Sequence, residues 1–175
     1  MDRFGKIDIL INNSGAVWKA PFLEMPLDKW NKVMNVNATG TFLMSQAVAR
    51  EMAKNGYGKI INIASVGGIK AFHPEVLDAA GYQASKGAVV MMTKDMAVKL
   101  APYNINVNAI APGYFRTKMT DRLLDENMDD ILRVVPLRRL GSEYDLKGAA
   151  VFLASRASDY ITGIILSVDG GMQGL

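Results

Sequence analysis

No cysteine occurs among the 175 residues, which excludes disulfides, a thiol nucleophile and thiolate zinc sites. Histidine is nearly as scarce. His73 is the single one, so a multi-histidine metal site is excluded and a Ser-His-Asp triad is disfavoured. No apolar run approaches the roughly 18 residues that a membrane-spanning helix needs. The opening residues, MDRFGKID, are charged and lack the apolar stretch of a secretory signal. Net charge is only +3, and the basic residues are scattered apart from Arg138 and Arg139. That pattern is solvated surface charge rather than a nucleic-acid stripe. Internal repeats, low-complexity tracts and long linkers are missing as well. The expectation is a soluble, cytoplasmic protein that holds no metal and binds neither nucleic acid nor membrane.

What is present fits one domain over 1–175. Half the residues are apolar and about a fifth are charged, enough to bury a core at this length. IDILIN at 7–12 is a short β-rich run ended by NSG, which predicts a buried strand. From Pro26 to Gly56 apolar residues recur every three or four positions, which predicts helix stopped by Gly56 and Gly58. KIINIAS at 59–65 reads as a second strand, followed by a loop with His73 and Pro74. A helix of about five turns then runs from Tyr82 to near Pro102. INVNAIAPG at 105–113 is a third strand, and IILSVDGG at 164–171 a fourth. Between them, 117–134 and 143–156 read as amphipathic helices, the second capped near Ser142. Strands alternating with long helices imply an α/β fold with a parallel sheet covered on both faces. Such sheets bind ligands beyond the carboxyl ends of their strands, where NNSG, SVGG and APGYF all lie.

Two Tyr-x-x-x-Lys pairs occur where chance gives roughly 0.4. Tyr114 and Lys118 follow a Pro-Gly break, where a spacing of four fixes no geometry. Tyr82 and Lys86 open a long helix and share one face. An ammonium near a phenol favours phenolate and would lower its pKa towards acid-base work near neutrality. On spacing alone the pair remains open between that and a packed tyrosine beside a solvated lysine. The bland account holds for other residues: the Met-rich VVMMTKDMAV is core or subunit interface, Asn106 and Asn108 satisfy backbone, and Asp8 is a strand-flank contact.

The neighbouring segments give the pair a context. NNSG at 12–15, Asn37 in NVNATG, Ser65 in INIASVGG, YQASK, NVNAIAPGYFRT at 106–117 and SVDGG at 167–171 together resemble the short-chain dehydrogenase/reductase family, in order and over essentially the whole chain. The resemblance implies a Rossmann-like, doubly wound parallel sheet. It also implies an NAD- or NADP-dependent oxidoreductase that moves a hydride between the nicotinamide and a carbonyl or secondary alcohol of a small molecule. Tyr82 would exchange the proton, Ser65 would hold the same oxygen, Lys86 would lower the tyrosine pKa and bind the nicotinamide ribose, and Asn37 would fix a water linking Lys86 to solvent. The backbone at Asn13, Ser14 and Gly15 would touch the adenosine-side ribose. Pro112, Gly113, Phe115 and Thr117 would flank the nicotinamide. A homo-oligomer, dimer or tetramer, built on helices near 38–55 and 82–101 is also implied.

The chain departs from the family pattern in one large respect. The glycine-rich turn that cradles the cofactor pyrophosphate, Gly-x-x-x-Gly-x-Gly, does not occur. The resemblance begins at the family's fourth strand, which leaves out about 70–80 residues at ~30 or more per β-α-β unit. A fragment, an internal start or a truncated gene is therefore suspected, with strand order 4-5-6-7, an exposed apolar edge at 7–12 and doubtful activity alone. Ser14 stands where alanine is usual, a tolerable change. Sixteen residues separate Ser65 from Tyr82, a few more than usual, and this extra segment should lie over the substrate. His73 within it reads as a surface loop residue. GYFRTKMT, VPLRRLG and DLKGAAVFLAS resemble the gluconate 5-dehydrogenase branch, with the 3-oxoacyl-carrier-protein reductase branch as the alternative. An inert fragment or interaction module also stays open. Arg116 either faces a substrate carboxylate or is solvated.

Overall fold

The computed structural model describes residues 4–117 and 120–174. Four strands, β1 (Ile9–Asn12), β2 (Gly58–Ile63), β3 (Ile105–Pro112) and β4 (Ile165–Val168), pair in that order, all in parallel. This is the 4-5-6-7 sheet expected from the resemblance. Each crossover carries helix: α1 (Leu27–Met34) and α2 (Gly40–Asn55), then α3 (Pro74–Leu77) and α4 (Ala80–Leu100), then α5 (Asp121–Arg133) and α6 (Glu143–Ala154).

Strand alternation sorts the core onto two faces. Ile60, Ile105 and Val107 face α2 and α4, where they pack with Val48, Met52 and Ala97. Ile61 and Ile110 face the other way, against Leu153 of α6. Ile60 and Met52 are fully buried, each worth about 1.5–3 kcal/mol of transfer free energy. A polar ladder ties the sheet to its helices. Asn12 donates to Ser45 Oγ (2.8 Å) and to Asn62 Oδ1 (2.9 Å), and Asn62 donates to Thr93 Oγ1 (2.9 Å). Unsatisfied at this depth, these groups would cost more than they contribute, so the ladder fixes the register of α2 and α4 on the sheet.

The helix expected over 26–56 is broken in a way periodicity does not reveal. A wide turn over Asn35–Thr39 interrupts it, with the Gly40 N–H reaching back to the Asn35 carbonyl. That extra residue turns Asn37 into the interior. Gly56 then ends α2 in the left-handed region, at φ 64°. Ser142 caps α6 through a reciprocal box with Asp145. Two short helical turns form besides the expected helices: Phe22–Glu24, and Pro74–Leu77 in the segment that reads as loop. The other minor expectations hold: Asp8 pairs with Lys6 at 3.0 Å, and Asn106 and Asn108 donate to the Ile161 carbonyl.

On one side the sheet stops at β1. Leu10 and Asn12 are covered by α2, but Ile9 and Ile11 on the opposite face are 45% and 46% exposed. The apolar edge expected at 7–12 is therefore real.

Candidate active site

Ser65 leaves β2 in extended conformation, and the chain turns at once through Val66–Gly68. The turn is pressed against α4 at Lys86: a Cβ on Gly68 would stand 2.5 Å from the Lys86 carbonyl carbon. Only glycine allows that approach, which brings Ser65 beside the first turns of α4. Ser65 Oγ accepts the Gly67 N–H at 3.1 Å. With that lone pair used, its proton is free to turn towards the Tyr82 phenol, which lines the same two cavities.

Tyr82 and Lys86 share the expected face of α4. The Lys86 ammonium lies 5.8 Å from the Tyr82 ring centroid and donates to the Ile63 carbonyl at 2.6 Å. Lys86 is 5% exposed, and burial pushes its pKa down to about 8. Burial also raises the Tyr82 phenol above its ordinary value, and the Ser65 hydrogen bond offsets only part of this. The expected lowering by Lys86 is therefore not what this geometry produces. The ammonium sits over the ring and spends one hydrogen on a carbonyl, so desolvation outweighs it.

Asn37 is turned inward behind the site. Its Oδ1 accepts the Ala16 N–H (2.7 Å), and its Nδ2 donates to the Ala16 carbonyl (2.9 Å) and to Ser85 Oγ (2.8 Å). Both amide hydrogens are thus spent, and the side chain pins the loop after β1 to α4. Ser85 was missed in the sequence. The signal was a small polar residue inside YQASK, three positions after Tyr82 on a buried stripe.

These elements enclose a cavity of about 420 Å³ at the carboxyl ends of β1, β2 and β3. Asn13, Gly15, Pro112, Gly113, Phe115 and Thr117 line it, together with Ser65, Tyr82 and Lys86. Ser14, next to them, is exposed and outside the lining; Asn37 is outside it too, but buried behind it. A smaller cavity of about 90 Å³ adjoins it, sharing Ser65, Tyr82, Gly113 and Thr120 and adding Val17, Lys19, Phe72, Leu77 and Tyr114. Thr120 and Lys19 also escaped the sequence reading. Tyr114, set aside as half of a chance match, has its pKa pushed up to about 12 by burial and points its hydroxyl at the Val76 carbonyl, 3.4 Å away. Its companion Lys118 lies outside the described residues. Arg116 is bound up with α5, 2.8 Å from Asp125 and 3.5 Å from Asp121. His73 is exposed, 3.5 Å from Glu75.

A hydroxyl, a phenol and a buried ammonium thus converge between two adjoining cavities, one of them floored by glycine. A family model described as enoyl-(acyl carrier protein) reductase matches residues 1–173. The chain belongs to the short-chain dehydrogenase/reductase family. Among the members it matches is 5-keto-D-gluconate 5-reductase of Escherichia coli K12, 47% identical over 173 residues. The alignment takes in 96% of this chain and 65% of that enzyme, so the chain spans about two thirds of its relative's length. The 3-oxoacyl-[acyl-carrier-protein] reductase of Synechocystis is 41% identical, over 98% of this chain and 67% of its own. A gluconate 5-dehydrogenase from Burkholderia cenocepacia, solved in complex with NADP and tartrate, superposes with a TM-score of 0.94 at 44% identity. That match covers 99% of this chain and 68% of the other.

Proposed function

We propose that this dehydrogenase/reductase chain carries the proton-handling half of an NAD(P)-dependent oxidoreductase acting on a sugar acid such as 5-keto-D-gluconate. The observation that carries the proposal is the placement of Ser65 and Tyr82 at the seam of two cavities, with Lys86 beside them in the larger one.

The larger cavity suits the nicotinamide and its ribose. It is walled by Pro112 and Phe115 and offers Lys86 as a donor. Gly15 lies beside Lys86, close enough that a Cβ there would stand 3.9 Å from its Nζ, an ordinary contact distance. When bound, the nicotinamide supplies or accepts the hydride. Lys86 is the one cation lining this cavity among the described residues, so the cofactor diphosphate finds little there to hold it. Affinity of the 175-residue chain for NADPH or NADH is accordingly expected to be weaker than micromolar.

The substrate carbonyl belongs at the seam. Tyr82 stands as a protonated phenol at neutral pH, as any tyrosine does and as its burial reinforces, and it gives that proton to the carbonyl oxygen. Ser65, oriented by the Gly67 N–H, donates to the same oxygen as negative charge grows. The resulting phenolate is stabilised by Ser65 and by the Lys86 ammonium over its ring. Asn37 keeps the loop at Ala16 in place.

The test is turnover of 5-keto-D-gluconate at millimolar NADPH, so that mass action offsets weak binding. Tyr82→Phe should cost about 10²–10⁴ in rate. Tyr114→Phe, which lies off the seam, should cost far less. A Tyr82→Phe chain retaining more than half the wild-type rate would remove the phenol from the mechanism. The apolar walls at Phe72 and Leu77 favour a second substrate class, the 3-oxoacyl thioester, and acetoacetyl thioester reduction by the same chain would decide for it.

We also propose a homo-oligomer through α2 and α4. Phe42, Leu43 and Met44 on α2 and Met91 on α4 are each 45% or more exposed, and a groove of about 710 Å³ runs between the two helices. Sedimentation showing only monomer at micromolar concentration would count against it.

A further inference from the structure

The candidate carboxylate partner legible in the sequence, Arg116, is spent on Asp121 and Asp125. The substrate-side cavity nevertheless has a cation. Lys19 lines it with Val17, while Trp18 between them faces outward under Lys29, whose ammonium lies 4.9 Å from the indole centroid. This in-out-in alternation is what an extended backbone requires. The segment is held at both ends. Ala16 is clamped by Asn37 through its N–H and its carbonyl. The Ala20 N–H donates to the Asp78 carbonyl at 3.2 Å, in a parallel bridge of Ala20 with Ala79. The Lys19 backbone is thus fixed relative to both the Asn37 turn and the start of α4.

The ammonium itself is uncommitted. Among the described residues no ion pair includes Lys19, and neither Asp nor Glu lines this cavity. The described lining is otherwise hydroxyl or apolar, with Ser65, Tyr82 and Thr120 at the seam. The cavity therefore combines the groups that handle a carbonyl with a single positive charge. We infer that Lys19 is the specificity residue that holds the substrate carboxylate and thereby sets which carbonyl of a polyhydroxy acid meets Tyr82. This rests on the sugar-acid proposal above and names the residue that reads the acid. An acyl thioester has no carboxylate to offer it.

A charge-assisted hydrogen bond of this kind is worth about 10- to 100-fold in affinity. The probes are sodium D-gluconate and D-sorbitol, which differ by a carboxylate against a hydroxymethyl group, titrated into the 175-residue chain and followed by amide NMR shifts. Wild type should bind gluconate about 10- to 100-fold more tightly than sorbitol. Lys19→Met should lose that preference while its affinity for sorbitol changes by less than about 2-fold, and Lys19→Arg should restore it. Lys19 is exposed, so the variant's spectrum away from the cavity should overlay the wild type's. Gluconate binding as tight in Lys19→Met as in wild type would overturn the role of Lys19 and leave the sugar-acid proposal standing. Equal binding of the two probes by wild type, or binding of neither, would overturn both. In either case the Tyr82→Phe turnover result would stand as a separate test of the proton chemistry.

Discussion

Replacing Lys86 by methionine should change how stability depends on pH. Lys86 is 5% exposed, and its pKa falls from 10.5 to about 8 because burial penalises the ammonium. At ~1.4 kcal/mol per pKa unit, keeping this charge buried costs roughly 3 kcal/mol at neutral pH. The sign follows from proton binding. Between about pH 8 and 10.5 the unfolded chain holds a proton on Lys86 that the folded chain has released, so stability rises with pH across that window. Burial acts oppositely on Tyr82 and Tyr114, whose pKa values are raised, Tyr114 to about 12. Above pH 10 the unfolded chain loses those protons first and stability falls. Wild type should therefore gain about 2 kcal/mol from Lys86 between pH 8 and 10 and pass through a maximum near pH 10. Lys86→Met should lack the rise, because the group whose buried ammonium causes it is gone. Urea unfolding by circular dichroism at pH 7, 8, 9 and 10 measures this directly. Parallel stability curves for the two proteins would refute the reasoning, since Lys86 would then titrate as it does in water.

Three further perturbations follow from the packing. Gly68→Ala should destabilise the fold by about 1–3 kcal/mol and lower turnover, because the new Cβ meets α4 backbone at 2.5–2.8 Å; an unchanged urea midpoint would contradict that close approach. Asn37→Ala removes three hydrogen bonds, one buried and two part-buried, and strands the Ala16 amide and carbonyl, so a loss of about 2–4 kcal/mol is expected in the same assay, and a loss under about 0.5 would mean that the loop is held by other contacts. Ile11→Lys on the β1 edge should reduce concentration-dependent aggregation measured by light scattering, whereas unchanged scattering would place the association surface elsewhere.

How much of this was legible in the sequence depends on what each feature rests on. The four strands were, because short β-branched runs bounded by Gly, Pro and Asn have few other homes. Helices α4 and α6 were, from apolar spacing and the Ser142 cap. The wide turn at Asn35–Thr39 was not, since MNVNATG keeps a helical spacing and a single inserted residue leaves no compositional mark. The proximity of Tyr82 and Lys86 could be read from their i, i+4 placement. Their pKa values could not, because spacing fixes neighbours and says nothing of depth: desolvation raises one group and lowers the other. Lys19 was invisible for a related reason. Its role as a cavity lining depends on the bridge of Ala20 to Ala79, a contact across 59 positions that local pattern does not encode.

The sheet edge and the open end of the proposed cofactor cavity have one physical cause. The nicotinamide-sized cavity lies across the carboxyl ends of β1, β2 and β3, touching Asn13, Ile63 and Pro112. In open parallel sheets such ligands lie along the crest formed by those ends. Here the crest ends at β1, and beyond it the described residues offer only an unpaired strand edge with Ile9 and Ile11 half exposed. The cavity and the uncovered apolar face therefore terminate at the same strand. Whatever completed the pairing of β1 would extend the crest towards the cofactor diphosphate, and it would cover Ile9 and Ile11 with the same layer. Restored cofactor affinity and lost aggregation should for that reason appear together, while Ser65, Tyr82 and Lys86, which are held by the end of β2 and by α4 rather than by β1, should keep their geometry.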